Sequence, residues 1–130
     1  MNQEVIIGID LGATNIRGGL VAGKRITATQ ARAIRSKGTV EEVLQDIFSI
    51  VDLLINKSVA AIGIGVPSVV DVENGIVYDV QYIPSWKEVH LKEIMEKRYA
   101  VPVFVNNDAN CFALGEFYFG KGIGTDHMIG

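Results

Sequence analysis

Cysteine is almost missing from this sequence: Cys111 is the only one in 130 residues. A lone cysteine excludes an intrachain disulfide framework and a zinc site built on thiolates, and it fits a reducing cytoplasm. Proline is scarce, at 3 residues, and neither charge sign dominates, with 12 Lys+Arg against 15 Asp+Glu for a net charge of −3. No basic excess therefore exists to neutralise a phosphate backbone over an extended surface, and nucleic-acid binding through this chain is not expected. Long apolar runs are also lacking. The longest, such as Val5–Ile9 and Val101–Val105, fall far short of the ~18–20 residues of a membrane span, and no charged segment leads into an apolar one at the start. Internal repeats, charge blocks and linker-like stretches are absent.

What remains is the composition of a folded α/β protein: 48% hydrophobic and 21% charged residues, with 14 glycines. The length suits one domain with a real core. A mean hydropathy of +0.27 is high for a small domain wetted on every side. Apolar area left exposed at the surface, able to drive self-association, would account for it.

Val5-Ile6-Ile7-Gly8-Ile9-Asp10 is a β-branched run ending in a carboxylate, the pattern of a strand buried on both faces. Leu11-Gly12-Ala13-Thr14 reads as a turn, followed by strands over Ile16–Val21 and Arg25–Ala33 joined at Gly23-Lys24. Thr39-Val40-Glu41-Glu42 is a capping-box pattern, and the apolar spacing from Val40 through Leu54 predicts a helix over roughly 39–57. Ala60–Val66 reads as a strand, Val70–Val72 and Ile76–Tyr78 as a hairpin around Asn74-Gly75, and Leu91, Ile94, Met95 and Arg98 as a short amphipathic helix. Val101–Val105 is a further strand, then Asn107-Asp108 offers an N-cap to a helix containing Phe112, Ala113, Glu116 and Phe117 and closed by Gly120. His127–Ile129 reads as a strand beginning. This order predicts a mixed sheet with helices packed on it and ligands gathered at the carboxyl ends of the strands.

Two clusters carry chemistry. Asp10-Leu11-Gly12-Ala13-Thr14 places a carboxylate, a small-residue turn and a hydroxyl within five positions. Backbone N–H groups in such a turn can approach phosphate oxygens, Thr14 adds a donor, and the carboxylate can hold Mg²⁺ directly or through water. A plain hairpin turn in which Asp10 satisfies its own backbone is the alternative. Asn106-Asn107-Asp108-Ala109-Asn110 sets polar groups at a strand-to-helix junction, where the partly positive helix end keeps Asp108 ionised. Such a carboxylate can orient a hydroxyl and take its proton late in phosphoryl transfer, while Asn107 binds sugar hydroxyls. An N-cap is the plainer reading, but one Asn or Asp suffices for a cap.

Other matches fail on chemistry. Gly115–Gly122 imitates a phosphate loop, but Gly122 stands where the metal-binding Ser or Thr belongs, so it reads as a helix end with Lys121 near the dipole. Asp71-Val72-Glu73-Asn74-Gly75 lacks the glutamate and glycine spacing of a calcium loop. His90 and His127 lack partners at ligand spacing, and Trp86 and Tyr82 read as packing residues.

Taken together, Gly8-Ile-Asp-Leu-Gly-Ala-Thr-Asn-Ile-Arg17, Gly63-Ile-Gly-Val-Pro67 with Val70-Asp71, Ile83-Pro-Ser-Trp86, Asn106-Asn-Asp-Ala-Asn110 and Ala113-Leu-Gly-Glu116 resemble the ROK family of sugar kinases and sugar-responsive repressors. The resemblance implies the N-terminal lobe of an actin-like ATPase, of ribonuclease H-like fold, over residues 1–130, with the C-terminal lobe, on which exposed apolar area would pack, absent. It implies ATP and Mg²⁺ as cofactors, with Asp10 near the metal and Gly12, Ala13 and Thr14 in the phosphate motif. Asp108 matches the catalytic base, Asn107 its sugar-binding neighbour, and Ser68 the loop lining the sugar pocket. Ala13 replaces a second glycine, Ser68-Val-Val-Asp71 replaces Gly-Pro-Val-Asp, and Ser85 replaces the glycine of Pro-Gly-Trp, which leaves the particular sugar open. The chain stops before the family's Gly-Thr-Gly loop, Glu-x-Gly-His motif and zinc site, so the isolated lobe is expected to be inactive. Nine residues before Asp10 leave no room for the repressors' DNA-reading segment, which favours the kinase reading over the repressor.

Overall fold

The computed structural model describes residues 5–23 and 25–107. Strands β1 (Val5–Leu11), β2 (Asn15–Ala22) and β3 (Arg25–Ala33) form an antiparallel meander, as the sequence pattern predicts. Helix α1 (Val40–Leu54) then carries the chain across to β4 (Val59–Gly65), which lies parallel to β1. After a small second sheet and helix α2 (Leu91–Tyr99), strand β8 (Val103–Asn106) pairs parallel with β4. The main sheet thus has five strands in the order β3-β2-β1-β4-β8, mixed in direction as expected.

Helix α1 starts where the capping box places it. Glu42 N donates to Thr39 Oγ1 at 3.1 Å, and Thr39 N donates to the Glu42 carboxylate at 3.0 Å. It ends at Leu54, three residues short of the expected boundary, because Ile55 is extended and Asn56 Oδ1 accepts from Ser58 N at 2.8 Å. A local side-chain turn outcompetes another helical turn there. The helix approaches the sheet closely over Gly18, where a Cβ would stand 2.6 Å from Ile50 Cγ2 and 2.8 Å from Ile9 Cδ1.

The expected hairpin around Asn74-Gly75 is present. Asp71 pairs with Ile76, so β5 (Val69–Asp71) lies one residue before the expected Val70–Val72, β6 (Ile76–Tyr78) matches its expected bounds, and the loop covers 72–75. The Asp71 carboxylate accepts from Asn74 Nδ2 at 2.9 Å and Asn74 N at 3.2 Å, which holds its pKa below the ordinary carboxylate value, and Gly75 closes the loop at φ +65. The hairpin belongs to a separate three-stranded sheet completed by β7 (Glu88–Val89), a strand too short to leave a sequence pattern. Trp86 is fully buried, as a packing residue should be, whereas Tyr82 is half exposed. One apolar cluster runs from β1 and α1 through Trp86 to α2 and fuses both sheets into a single core.

The two edges of the main sheet are treated differently. On β8, Lys92 Nζ donates to Val103 O at 2.8 Å, and Val103 N donates to Glu96 Oε2 at 2.9 Å, so two α2 side chains satisfy the outer backbone groups of Val103 at the start of that strand. This Val103 N–H first, and Lys92 second, hold the Glu96 carboxyl below its ordinary value of 4.5. A carboxyl lowered in the folded state contributes stability that is complete above the unfolded value and is lost as pH falls through the folded one. Glu96→Gln is therefore expected to flatten the drop in melting temperature between neutral pH and about pH 3. Parallel melting curves for the variant and the parent across that range would contradict it.

Among the described residues the β3 edge has no such cover, and eight of its nine residues are exposed. Beneath it, Asp46 is the only buried charged side chain among the described residues. It accepts from Arg35 N at 2.8 Å and Arg35 Nη2 at 2.9 Å, with Arg32 at 3.6 Å, which staples α1 to the end of the meander. No helix among the described residues is long and apolar enough to cross a membrane. Lys24, Asp108, Cys111, the expected helix over Phe112–Phe117 with Gly120, the Gly115–Gly122 segment and the His127–Ile129 strand lie outside the described residues.

Candidate functional site

Sheet register brings the two motif clusters to one end of the molecule. Asp10 pairs with Arg17 on β2 and with Gly65 on β4, and Gly65 pairs with Asn106 on β8. Paired residues share a face, so Arg17, Asp10, Gly65 and Asn106 form one row at the carboxyl ends of three parallel strands. The adjacent pair, Ile9 and Gly18, faces α1, so this row lies on the opposite face. Gly65 has no side chain, so Asp10 and Asn106 stand about 10 Å apart, two strand spacings, across bare backbone. That interval admits a ligand group between them.

Above Asp10 the chain reverses tightly. Gly12 N donates to Asn15 O at 3.0 Å, and a Cβ at Gly12 would stand 3.0 Å from the same oxygen, so this glycine serves close backbone approach. Ala13 is absent from the residues of positive φ, which explains why alanine is tolerated where a second glycine would stand. Thr14 is exposed, its carbonyl accepts from Ile34 N at 3.0 Å, and its Oγ1 accepts from Asn15 Nδ2 at 3.2 Å. With that lone pair engaged, the hydroxyl proton is free to donate to an anionic oxygen.

Across the row, Val66 N donates to Asn106 O at 2.9 Å and locks the exits of β4 and β8 together. Ser68 follows on a tight turn, its N–H donating to Val66 O at 2.9 Å, and is half-buried. Asn107 is exposed directly after β8, and Asp108 lies just outside the described residues. The structure therefore brings Asp10, Gly12, Ala13 and Thr14 to one side of Gly65 and Ser68 and Asn107 to the other. Sequence reasoning did not single out Arg17 or Asn15. The signal for Arg17 was its place seven residues after Asp10, directly opposite across a short turn.

Among the described residues no group of three or more His, Cys, Asp or Glu could enclose a metal. The donor set at this site is one carboxylate at a strand end beside an open turn. A single carboxylate of this kind fits Mg²⁺ held chiefly by phosphate oxygens and water.

A mixed sheet in this order, with a carboxylate turn after the first strand and polar exits on the parallel strands, is the ribonuclease H-like lobe of the actin-like ATPases. The chain belongs to the ROK family, which it matches over residues 6–130. A glucokinase of Thermotoga maritima is 36% identical over 99% of this chain and 41% of its own length. A putative xylose repressor of a Caldicellulosiruptor species is 33% identical over 98% of this chain and 34% of its own. The crystal structure of a ROK family glucokinase from Streptomyces griseus in complex with glucose and AMPPNP superimposes with a TM-score of 0.74 at 36% identity. It covers 91% of this chain and 38% of that one. The chain thus spans about two fifths or less of the relatives it matches.

Proposed function

We propose that this chain is the N-terminal lobe of an ATP-dependent sugar kinase, acting in the cytoplasm on the hydroxyl of a hexose or N-acylhexosamine. The observation that supports this reading is the row across Gly65, which sets the Gly12–Thr14 turn after β1 beside the polar exits of β4 and β8. Bound Mg²⁺ would neutralise phosphate charge, and Asp10 is the residue to hold it. The turn at Gly12, Ala13 and Thr14 offers donors to the phosphates of ATP, and Arg17 beside Asp10 supplies a cation for the transferred group. Ser68 and Asn107 hold the sugar, and Asp108 accepts the proton of the attacking hydroxyl. That oxygen bonds to the γ-phosphorus as the bond to the β–γ bridging oxygen breaks.

Half of a cleft positions substrates poorly, since catalysis of this kind rests on orientation and charge neutralisation. The 130-residue chain alone is therefore expected to release no sugar-dependent ADP, whereas the protein carrying both lobes does. Robust phosphorylation by the isolated chain would refute the single-lobe reading. The repressor relative supports a second reading, a sugar-sensing domain in a ROK transcriptional regulator. Sugar binding without ADP release by the two-lobe protein would favour it.

A further inference from the structure

We propose that the open edge of β3 is a self-complementary surface on which a second copy of this chain adds its own β3, joining the two sheets. Ile34 N donates to Thr14 O on the β2 side. Backbone alternation then turns the N–H and C=O groups of Thr29, Ala31 and Ala33 outward, where no strand among the described residues meets them. Natural edges are blunted by proline, acidic or lysine side chains, covering elements or bulges. This edge has one bulge, at the register shift beside Val21, and beyond it the run Ala28-Thr29-Gln30-Ala31-Arg32-Ala33 pairs in unbroken register with β2 and carries a single charge, Arg32. The opposite edge, by contrast, is covered at Val103 by Lys92 and Glu96.

The occupant follows from register and charge. A two-fold axis through Ala31 pairs Ala31 with its own copy, Thr29 with Ala33 and Gln30 with Arg32, so each outward group finds a partner. No like charges stand directly opposite. Arg32, the one cation in the run, is already turned to Ser49 at 2.6 Å and to Asp46. Helix α1 touches β2 and β3 equally, which centres it between them. In the joined sheet two such helices would lie about 10 Å apart, twice the strand spacing, which is the separation of packed helices. Leu53 occupies that seam. It lies one turn after Ser49 on the flank of α1 that faces β3, and it is 67% exposed although leucine. A pairing of one strand edge plus a helix seam is small, so the dimer is weak and concentration-dependent.

Sedimentation velocity of the 130-residue chain from micromolar to millimolar concentration tests this. A reversible monomer–dimer equilibrium is expected. Ala31→Pro deletes an outward N–H that β2 does not use, and Leu53→Glu charges the seam. Each is expected to weaken the dimer at least about tenfold, with an unchanged melting curve for Leu53→Glu. Ala31→Lys and Ala31→Glu are each expected to be monomeric alone and to dimerise when mixed, because residue 31 faces itself. A monomer at every concentration overturns the proposal, as does a dimer indifferent to Leu53→Glu and to the Ala31 pair.

Discussion

Asp10→Asn is expected to lower kcat of the two-lobe kinase by about 10²–10³, with little change in the KM for sugar. The substitution keeps size and one acceptor oxygen but removes the carboxylate charge at the strand end where the phosphates and Mg²⁺ are proposed to sit. Ser68 and Asn107 leave from different strands, on the far side of Gly65, so sugar binding should survive. Asp108→Ala is expected to be as severe, about 10²–10⁴, through loss of the proton acceptor, with ATP binding retained. Initial-rate kinetics over both substrates separate the two patterns. An Asp10→Asn enzyme within threefold of the parent would remove Asp10 from the catalytic apparatus.

Trp86→Ala is expected to cost about 3–5 kcal/mol of folding stability. Domains of this size hold about 5–15 kcal/mol in all, so the variant sits near the threshold of folding, with a melting temperature lower by roughly 10–20 °C. The indole is fully buried within the cluster that includes Val77, Val80, Ile83, Val89 and Leu91, and it fastens the small sheet and α2 to the main sheet. Its backbone also closes the loop, as Trp86 N donates to Ile83 O at 2.9 Å and Val80 N to Trp86 O at 3.0 Å. The indole Nε1 is buried without a partner. Trp86→Phe removes that unpaired donor along with some volume, and is expected to cost much less than the alanine. Urea unfolding followed by circular dichroism gives both values. An alanine variant within about 1 kcal/mol of the parent would show that the two sheets are held together elsewhere.

Much of the fold was legible because its signals are local. The Thr39 capping box, the β-branched run into Asp10 and the strand run of β3 each declare themselves within one segment. Boundaries failed where a side chain intervened locally. Asn56 captured Ser58 and ended α1 early, and Asp71 captured Asn74 and ended β5 one residue before the expected Val72. The two-residue β7 left no periodicity at all. At the candidate site, Asp10, Gly12, Thr14, Ser68 and the Asn106-Asn107 cluster stood out by type and motif, whereas Arg17 became a neighbour of Asp10 only through register.

By itself the sequence determined the element types, the family resemblance and the two polar clusters, since each is written in residues close along the chain. Only the tertiary structure decided that Arg17, Asp10, Gly65 and Asn106 share one row and one face, with Gly65 holding the interval open. It also decided that the β8 edge is covered at Val103 while the β3 edge is bare among the described residues. The reason is that parallel pairing joins residues some forty to fifty-five positions apart in the chain. Which residues then stand opposite one another is set by the packing of α1 and α2 on the sheet, and no short stretch of chain encodes it.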